Sequence, residues 1–383
     1  MKRPNISISG ECTPQFHAVR RVFEQNFHER EELGAAVGVY LDGKPVVDLW
    51  GGFFDVDRTT PWARDTIVCM ASVSKTVAAL CLHQLSDNGR VDLDSPVARY
   101  WPEFGRNGKG EITVRHVLGH MAALPYTDTV PEYSLFEWDP VIGALEDMEP
   151  AWAPGTKGAY HTTTYGHLVG ELVKRVSGQS IGTYCANHIS KPLALDYHIG
   201  LPAEAMERVS RFILNPVSKS NTIVFEAGTP LGRMFAAFPP MDDPFNSRRF
   251  REVEFPSANG HGNARAMARL FGALARGGEL DGVRLLSPEA IARATEQQLD
   301  DVCPICGDRF RVSLGFVLNT PDGKSFMGPN RRTFGATGAG GALGFGDPDA
   351  KMSFGYSPNF GWHMAEGLGE RCRALVSAAY SCL

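Results

Sequence analysis

The chain has 383 residues, of which 43% are hydrophobic and 21% charged, with 41 glycines and 25 prolines. This composition is typical of a globular protein that buries a full core, and it excludes the disordered and fibrous classes. The formal net charge is -5, so no basic excess draws the chain to nucleic acid or anionic lipid, and no apolar stretch reaches the roughly 18 residues of a membrane span. A small neutral or amphipathic ligand is therefore the expected partner.

The N-terminal part of the sequence predicts a helix followed by a hairpin. Helical spacing covers residues 17–32, and two β-rich runs, residues 34–41 and 45–50, then flank Asp42-Gly43. Two such runs around Asp-Gly are a strong short-range hairpin pattern. A sheet is therefore expected near this end of the chain.

The middle of the chain, residues 72–276, is predicted to be mostly helix and loop, because apolar residues recur there at spacings of three and four. The helical segments are 72–88, 114–118, 162–177 and 264–276. Strand patterns return only at the end of the chain, where the predicted elements are strands over 338–346 and 351–357 and a helix over 370–380.

This order of elements indicates an α+β fold. An antiparallel sheet built from both chain ends, with a mainly helical region inserted between them, accounts for it most simply. We predict a discontinuous sheet domain of residues 1–85 and 285–383, a mainly helical domain of residues 86–284, and an active site between the two.

The eight cysteines give an expectation about the compartment. Residues 5–11 supply no apolar core for a secretory signal, so the chain is expected in the cytoplasm with reduced thiols. Cys303-Pro-Ile-Cys306 has half the spacing of a zinc site, but no second Cys or His pair lies nearby in the sequence. We interpret this pair as structural and predict neither a metal nor a cofactor.

The strongest chemical pattern is Ser72-Val-Ser-Lys75, at the start of a segment with an apolar stripe. Residues three apart share a helix face, so the Lys75 amine can lie beside the Ser72 hydroxyl. A serine becomes a good nucleophile when a neighbour takes its proton, and a desolvated lysine is pushed towards the neutral form that can do so. The N–H groups at the helix start can also stabilise an oxyanion.

A second pattern surrounds Tyr160, which precedes an amphipathic helix in the segment Pro154-Gly-Thr-Lys-Gly-Ala-Tyr160-His-Thr162. Loops often hold functional groups over a rigid scaffold, so the Tyr160 phenol is a candidate proton relay. A half-buried packing role for Tyr160 is the alternative.

Three motifs occur here in the same order as in one known family: Ser72-x-x-Lys75, Tyr160-x-Thr162 and a Gly-rich segment over residues 337–341. The sequence resembles the serine hydrolases related to class C β-lactamases, which include β-lactamase-like carboxylesterases, DD-peptidases and some acyltransferases. The resemblance covers about residues 15–380, and it implies the β-lactamase/transpeptidase-like fold.

The resemblance also implies roles for individual residues. Ser72 would be the acylated nucleophile, Lys75 its proton acceptor, and Tyr160 the group that hands a proton to the leaving group. The backbone N–H groups of Ser72 and Ala339 would form the oxyanion hole. Further substrate contacts would come from Thr337, Gly338 and Thr162.

Two positions depart from the family pattern. Ala336 stands where β-lactamases carry the Lys of Lys-Thr-Gly, and many related esterases a His, whereas Thr162 replaces an Asn that contacts the antibiotic amide. Without these polar partners a carboxylate-bearing β-lactam would be poorly recognised. We therefore predict a small-molecule ester, or an amide, as the substrate, and no nucleic-acid or membrane partner.

A competing serine lies in Gly178-Gln-Ser180-Ile-Gly182, which matches the nucleophile elbow of another hydrolase fold. That elbow needs a strand before the serine, whereas Gly178 here ends a predicted helix, so Ser180 is expected in a turn between helices. His161 is expected at the surface or behind the site, and three other histidines are interpreted as structural: His120, His167 and His261.

Two other functions remain open at this point. An alcohol or amine that replaces water would make the enzyme an acyltransferase. A non-catalytic ligand-binding protein on the same scaffold is the second alternative; Ala336 favours it, whereas Ser72, Lys75 and Tyr160 oppose it.

Overall fold

The computed structural model describes residues 6–214, 226–239, 243–361 and 368–383. Within these ranges the helices are α1 (His17–Glu29), α2 (Val73–Asp87), α3 (Val114–Leu118), α4 (Trp138–Asp147), α5 (Tyr165–Ser177), α6 (Ile181–Cys185), α7 (Pro230–Met234), α8 (Arg248–Glu252), α9 (Ala264–Ala275), α10 (Pro288–Thr295) and α11 (Gly369–Tyr380). Among these helices, none has the length and apolar character that crossing a bilayer requires.

The strands of the same ranges are β1 (Ile8–Cys12), β2 (Gly34–Leu41), β3 (Lys44–Gly52), β4 (Val68–Cys69), β5 (Tyr197–Ile199), β6 (Ile213–Leu214), β7 (Gly260–Gly262), β8 (Glu279–Leu280), β9 (Val283–Arg284), β10 (Leu299–Val302), β11 (Arg309–Val312), β12 (Val317–Leu318), β13 (Phe334–Thr337), β14 (Leu343–Asp347), β15 (Met352–Pro358) and β16 (Phe360–Gly361).

The central feature is a nine-stranded antiparallel sheet in the order β1-β3-β2-β15-β14-β13-β12-β11-β10. Asp42 and Gly43 join β2 to β3 with positive φ angles of 48° and 77°. Positive φ at both central residues is what a tight hairpin turn of the favoured twist needs, so the Asp-Gly hairpin is confirmed. Strand β15 pairs with β2 from Met352 to Pro358. Both chain ends therefore build one sheet, as predicted.

The two faces of this sheet are covered by different helices. Phe354 in β15 lies in an apolar cluster with residues of α1 and α11. The residues on either side of Phe354 face α9 instead. The Ser353 hydroxyl donates to the Ala268 carbonyl (2.6 Å), and a Cβ at Gly355 would lie 2.0 Å from the Ala264 carbonyl oxygen. Because successive side chains of a strand point to opposite faces, α9 lies opposite α1 and α11.

Helix α2 lies at the centre of a second apolar cluster, separate from the one that α1 and α11 form with the sheet. Its residues from Val73 to Leu85 are all buried, and it packs against α5. Helix α9, which the proposed division assigns to the helical domain of residues 86–284, packs instead on β2, β14 and β15. The division into two domains stays a prediction, with α9 contacting the sheet across the proposed boundary.

Two strand predictions differ from the structure. Strands β10, β11 and β12 extend the sheet beyond β13, although strand patterns were expected only after residue 338. These strands are short and mostly charged or half-exposed, so they lack the alternating apolar face that reveals a strand. The predicted strand over 338–346 begins only at Leu343, because Gly340 and Gly341 adopt φ angles of 86° and 95° in the turn before it.

Candidate active site

Ser72 stands at the start of helix α2, directly after a constrained turn. Ala71 has a φ of 47°, a left-handed conformation that is uncommon for residues other than glycine. The Ser74 hydroxyl fixes this turn, because its Oγ donates to the Ala71 carbonyl oxygen (2.5 Å) and accepts from the Gly260 N–H (2.7 Å). The nucleophile candidate is thus held at a helix N-terminus, where main-chain N–H groups are available to an oxyanion.

Lys75 lies one turn along the same helix, with its amine on the Ser72 hydroxyl. Its Nζ is 3.3 Å from Ser72 Oγ and 2.7 Å from the main-chain carbonyl oxygen of Ser257. Lys75 is only 4% exposed, and desolvation by burial lowers the pKa of its amine to about 7. A substantial fraction of Lys75 is therefore neutral near pH 7 and able to accept a proton.

Tyr160 completes the group around Ser72. Its hydroxyl shares a hydrogen bond with Ser72, and Lys75 Nζ lies 4.9 Å from its ring centroid. Burial raises the pKa of the Tyr160 phenol, although the hydrogen bond with Ser72 opposes this rise. Tyr160 is therefore a neutral phenol that can donate a proton. The structure brings all three predicted residues together.

The loop that carries Tyr160 is fixed by two buried histidines. The His161 N–H donates to His120 Nδ1 (3.1 Å), and the Leu124 N–H donates to His161 Nε2 (3.0 Å). Burial lowers the pKa of both imidazoles, that of His161 to about 4, so both are neutral acceptors at pH 7. His161 lies behind the site, which is one of the two positions expected for it. His120 is closer to the chemistry than its structural interpretation suggested, because its ring centroid is 5.2 Å from that of Tyr160.

Ser257 was not singled out in the sequence, yet it links three parts of the site. Its hydroxyl accepts from the Gly166 N–H (2.8 Å) and donates to the Thr163 carbonyl oxygen (2.7 Å). Its main-chain carbonyl oxygen accepts a hydrogen bond from the Lys75 amine. The segment after Tyr160 is thereby tied to the Lys75 amine. A lone serine in a loop carries no pattern by which the sequence could have revealed this role.

The candidate oxyanion residues follow strand β13. A Cβ at Gly338 would lie 2.3 Å from the Met70 carbonyl oxygen, so the end of this strand is pressed against the turn before Ser72. Thr337, Gly338 and Ala339 line the same cavity as Ser72, and Thr162 faces it from the Tyr160 side. Ala336 is buried at 1% exposure in the apolar core.

A cavity of about 200 Å³ opens above these groups. Besides the residues named above, its apolar lining consists of Leu231, Met234, Phe235, Phe310, Val312, Phe316, Val317 and Leu368. Its charged lining, apart from Lys75, consists of Asp308, Arg309, Arg311 and Lys324. The volume lies below the usual range of small-molecule sites, which begins near 300 Å³, so the cavity suits a small and largely apolar group.

Comparison with known proteins decides the family. Residues 19–361 match the family model described as Beta-lactamase. The chain belongs to the β-lactamase family of serine hydrolases. The predicted membership and the predicted β-lactamase/transpeptidase-like α+β fold are thereby confirmed.

The alignments with individual relatives cover almost the whole chain. It is 35% identical over 363 residues to the esterase/β-lactamase LipL of Mycobacterium tuberculosis, a match that spans 91% of this chain and 82% of that protein. A crystal structure of a family VIII carboxylesterase superposes with a TM-score of 0.90 at 37% identity, covering 98% of this chain and 100% of the other. A penicillin-binding protein homologue from Caulobacter crescentus superposes with a TM-score of 0.87, also at 37% identity and the same coverage.

Ser180 lies in a different environment from Ser72. Gly178 ends α5 with a φ of 75°, and Ser180 is the N-cap of α6, where its hydroxyl accepts from the Thr183 N–H and donates to Glu254 Oε1 (2.6 Å). The turn between helices that was predicted for Ser180 is therefore confirmed. A hydroxyl engaged in capping explains this serine structurally.

Proposed function

We propose that this family member is a serine hydrolase that cleaves a small carboxylic ester through an acyl-enzyme on Ser72. The observation that carries the proposal is the buried Lys75 amine, 3.3 Å from Ser72 Oγ and with a pKa lowered to about 7. The similarity to the esterase/β-lactamase LipL and to the family VIII carboxylesterase supports an ester as substrate. A cytoplasmic location stays a prediction.

Acylation begins with proton transfer from Ser72 to neutral Lys75. Ser72 Oγ then attacks the ester carbonyl carbon, and the negative charge on the carbonyl oxygen is stabilised by the N–H groups of Ser72 and Ala339. The C–O bond breaks as the departing alkoxide takes the Tyr160 hydroxyl proton. Protonated Lys75, whose Nζ lies 4.9 Å from the Tyr160 ring centroid, returns a proton to the phenolate.

Deacylation runs the same path in reverse. Tyr160 passes its proton to Lys75 and takes one from the water that attacks the acyl carbonyl carbon. The tetrahedral intermediate then collapses to the free acid as protonated Lys75 returns its proton to Ser72. An alcohol or amine in place of this water would give an ester or amide, which is the acyltransferase alternative. The ratio of acid to transferred product, measured with added alcohol or amine, separates the two reactions.

The residues at the two lactamase motif positions support a small ester rather than a carboxylate-bearing lactam. Ala336 is buried in the core and has no polar group to offer a carboxylate, and Thr162 has a hydroxyl where the lactamase pattern has an amide. The cavity of about 200 Å³ limits the size of the acyl or alcohol group that it can enclose. Short-chain esters are the expected substrates.

The test is hydrolysis of short-chain nitrophenyl esters by two serine variants. Ser72→Ala should remove turnover, whereas Ser180→Ala should keep most of it because Ser180 caps a helix outside the cavity. Ser180→Ala is expected to cost about 1 kcal/mol of stability through the lost cap. Retained turnover in Ser72→Ala would overturn the proposal, and lack of turnover by the unmodified protein would favour the binding-protein alternative.

A further inference from the structure

The loop between strands β10 and β11 places two thiols against the Tyr160 side of the pocket. Cys303 and Asp308 close this hairpin loop with a hydrogen bond of 2.8 Å from the Cys303 N–H, and the Gly307 N–H returns to the Cys303 carbonyl oxygen at 2.9 Å. This last bond makes residues 303–307 a single helical turn. In such a turn residues three apart have Cβ atoms about 5–6 Å from each other.

The two thiols differ in access but contact each other. Cys303 is buried at 1% exposure, whereas Cys306 is exposed and lines the cavity together with Ser72 and Tyr160. The thiols share a hydrogen bond, and the main-chain N–H of Tyr160 points to the Cys303 sulfur. The pair therefore touches both solvent and the loop that carries the candidate proton donor.

The surroundings of Cys303 favour a thiolate. Besides Tyr160, the main-chain N–H groups of Ile305 and Cys306 point to its sulfur. These donors, with the Cys306 thiol as the largest contribution, lower the pKa of Cys303 against the opposing effect of burial, whereas the bond between the two thiols raises the pKa of Cys306. The thiolate is the form of cysteine that reacts with oxidants and disulfides.

We propose that Cys303 and Cys306 form a dithiol modification site that a small-molecule disulfide or hydrogen peroxide closes into a disulfide, slowing turnover at Ser72. With a disulfide RSSR, the exposed Cys306 attacks one sulfur as the thiolate and releases RS⁻. The second cysteine, once deprotonated, attacks the mixed disulfide and releases another RS⁻. The two protons of the pair end on two RSH molecules.

With hydrogen peroxide, a thiolate attacks one oxygen to give a sulfenic acid, and the second thiol then displaces water from it, so that two thiols and H₂O₂ give the disulfide and two H₂O.

Closure has to move the loop, and this links the site to the proposed function. A disulfide needs Cβ atoms about 3.5–4.5 Å apart, which is closer than one helical turn provides. The turn must tighten, and the contact between Cys303 and the Tyr160 N–H moves with it. Phe310, which follows in β11, packs edge-on against the Tyr160 ring with the ring centroids 5.3 Å apart, so a shift of the loop also reaches Tyr160 through this contact.

The other thiols supply the controls. Cys81 and Cys185 also contact each other, but both are buried, at 0% and 1% exposure, so this pair lacks the access that exposed Cys306 gives to reagents. Cys12 and Cys382 are half-buried near each other and could compete. The experiment therefore uses a background with Cys12→Ser and Cys382→Ser, which lie outside the proposed catalytic groups.

The folded protein in this background is treated with glutathione disulfide and, separately, with hydrogen peroxide. We expect loss of the mass of two hydrogen atoms, a bond between the cysteines mapped to positions 303 and 306, and recovery with dithiothreitol. Cys306→Ser, a change at an exposed side chain, should block closure even if Cys303→Ser fails to fold. Turnover of a nitrophenyl ester should fall on the order of 10- to 100-fold on oxidation, the scale of a displaced reacting group.

Three results would overturn the proposal: an unchanged mass, a glutathione adduct on Cys306 that never closes, or a mapped disulfide with unaltered turnover. The mass readout does not depend on catalysis. If the reduced protein hydrolyses no ester, the proposed function fails, while hydrogen–deuterium exchange of the peptide containing Tyr160, compared between the two redox forms, still decides whether closure displaces this loop.

Discussion

The main-chain carbonyl oxygen of Ser257 lies 2.7 Å from Lys75 Nζ, closer than Ser72 Oγ, which is 3.3 Å away. A carbonyl accepts hydrogen bonds from both the charged and the neutral amine, so it orients the nitrogen without fixing its proton. Because this partner carries no negative charge, it does not restore the pKa that burial lowers. The geometry keeps Lys75 both aimed at Ser72 and able to lose its proton.

The first prediction is a pH dependence. Lys75 must be neutral to take the Ser72 proton, and its pKa is lowered to about 7. We therefore expect kcat/KM to rise as pH increases through about 7 and to level off above it, since kcat/KM reports groups of the free enzyme. Lys75→Arg should lose this step and reduce kcat/KM on the order of 100-fold or more, because arginine keeps its proton.

Exposed Lys191 provides the matched control, since its amine donates to the Asn187 side chain (3.0 Å) and Lys191 is not among the residues that line the cavity. Lys191→Arg should leave the pH profile unchanged. A profile that stays flat between pH 6 and 8 in the unmodified enzyme would show that Lys75 is not the proton acceptor.

The second prediction concerns Tyr160 and the leaving group. Tyr160→Phe keeps the ring contacts with Phe310 and His120 but removes the proton donor. An alkyl alkoxide needs that proton, whereas a nitrophenolate leaves without one. The loss in kcat/KM, which reports acylation, should therefore be on the order of 10²- to 10⁴-fold for an alkyl ester and clearly smaller for the nitrophenyl ester of the same acid.

Parallel assays of the two esters check this difference. An equal loss for both would assign Tyr160 to an earlier step, such as deprotonation of Ser72, and would contradict its role as the acid for the leaving group.

The third prediction tests the contact between strand β13 and the nucleophile turn. In Gly338→Ala the new Cβ would lie 2.3 Å from the Met70 carbonyl oxygen, so strand and turn must separate. The Ala339 N–H then moves away from the position where the oxyanion forms. We expect labelling by a fluorophosphonate to slow on the order of 100-fold.

Gly143→Ala in helix α4 is the control, because its Cβ meets no atom within 4 Å. It should leave labelling unchanged and stabilise the protein by about 0.5–1 kcal/mol. If Gly338→Ala is labelled as fast as Gly143→Ala, the end of β13 does not contribute to the oxyanion hole.

The fourth prediction concerns a buried ion pair between helix α11 and the segment just before strand β2. Arg371 Nη1 donates to Glu32 Oε1 at 2.7 Å, and Tyr356 donates to the same carboxylate. Both charged side chains are nearly inaccessible, with exposures of 2% and 0%. Arg371→Met would leave Glu32 buried without its cation, at a cost of about 3–5 kcal/mol in the free energy of unfolding.

Urea denaturation measures this cost, with Arg332→Met as the comparison. Arg332 is 73% exposed and pairs with Asp349, so its loss should cost less than about 1 kcal/mol. A double change, Glu32→Leu with Arg371→Met, should recover part of the stability. Similar costs for Arg371→Met and Arg332→Met would contradict this account.

Much of the fold could be predicted because local patterns agree with the final packing. The Asp42-Gly43 turn and the three-and-four spacing in α2 and α9 are local features, and each is present in the structure. Strands β10 and β11 could not be found this way, because they lie at the sheet edge, where charged side chains such as Arg309 face solvent. Their positions follow from the pairing of β11 with β12 and of β10 with β11, which no local pattern encodes.

The candidate site likewise contains residues that the sequence could predict and residues that it could not. Ser72 and Lys75 share a helix turn, so their proximity follows from spacing alone. Tyr160 was found through its position before an amphipathic helix and through its order among the family motifs. Ser257 acts through a main-chain carbonyl, which any residue type supplies, so composition cannot reveal it. The Cys303–Cys306 pair was read as structural, and only the tertiary fold shows that it reaches the pocket.

The most direct test of the central claim is to trap the acyl-enzyme. The unmodified protein is mixed with a short-chain nitrophenyl ester, quenched with acid within the first turnovers, and digested for peptide mass mapping. We predict one acyl group, carried by Ser72 and lost with time as the free acid appears. An acyl group found on another residue, or hydrolysis with no covalent intermediate and undiminished rate in Ser72→Ala, would contradict the account.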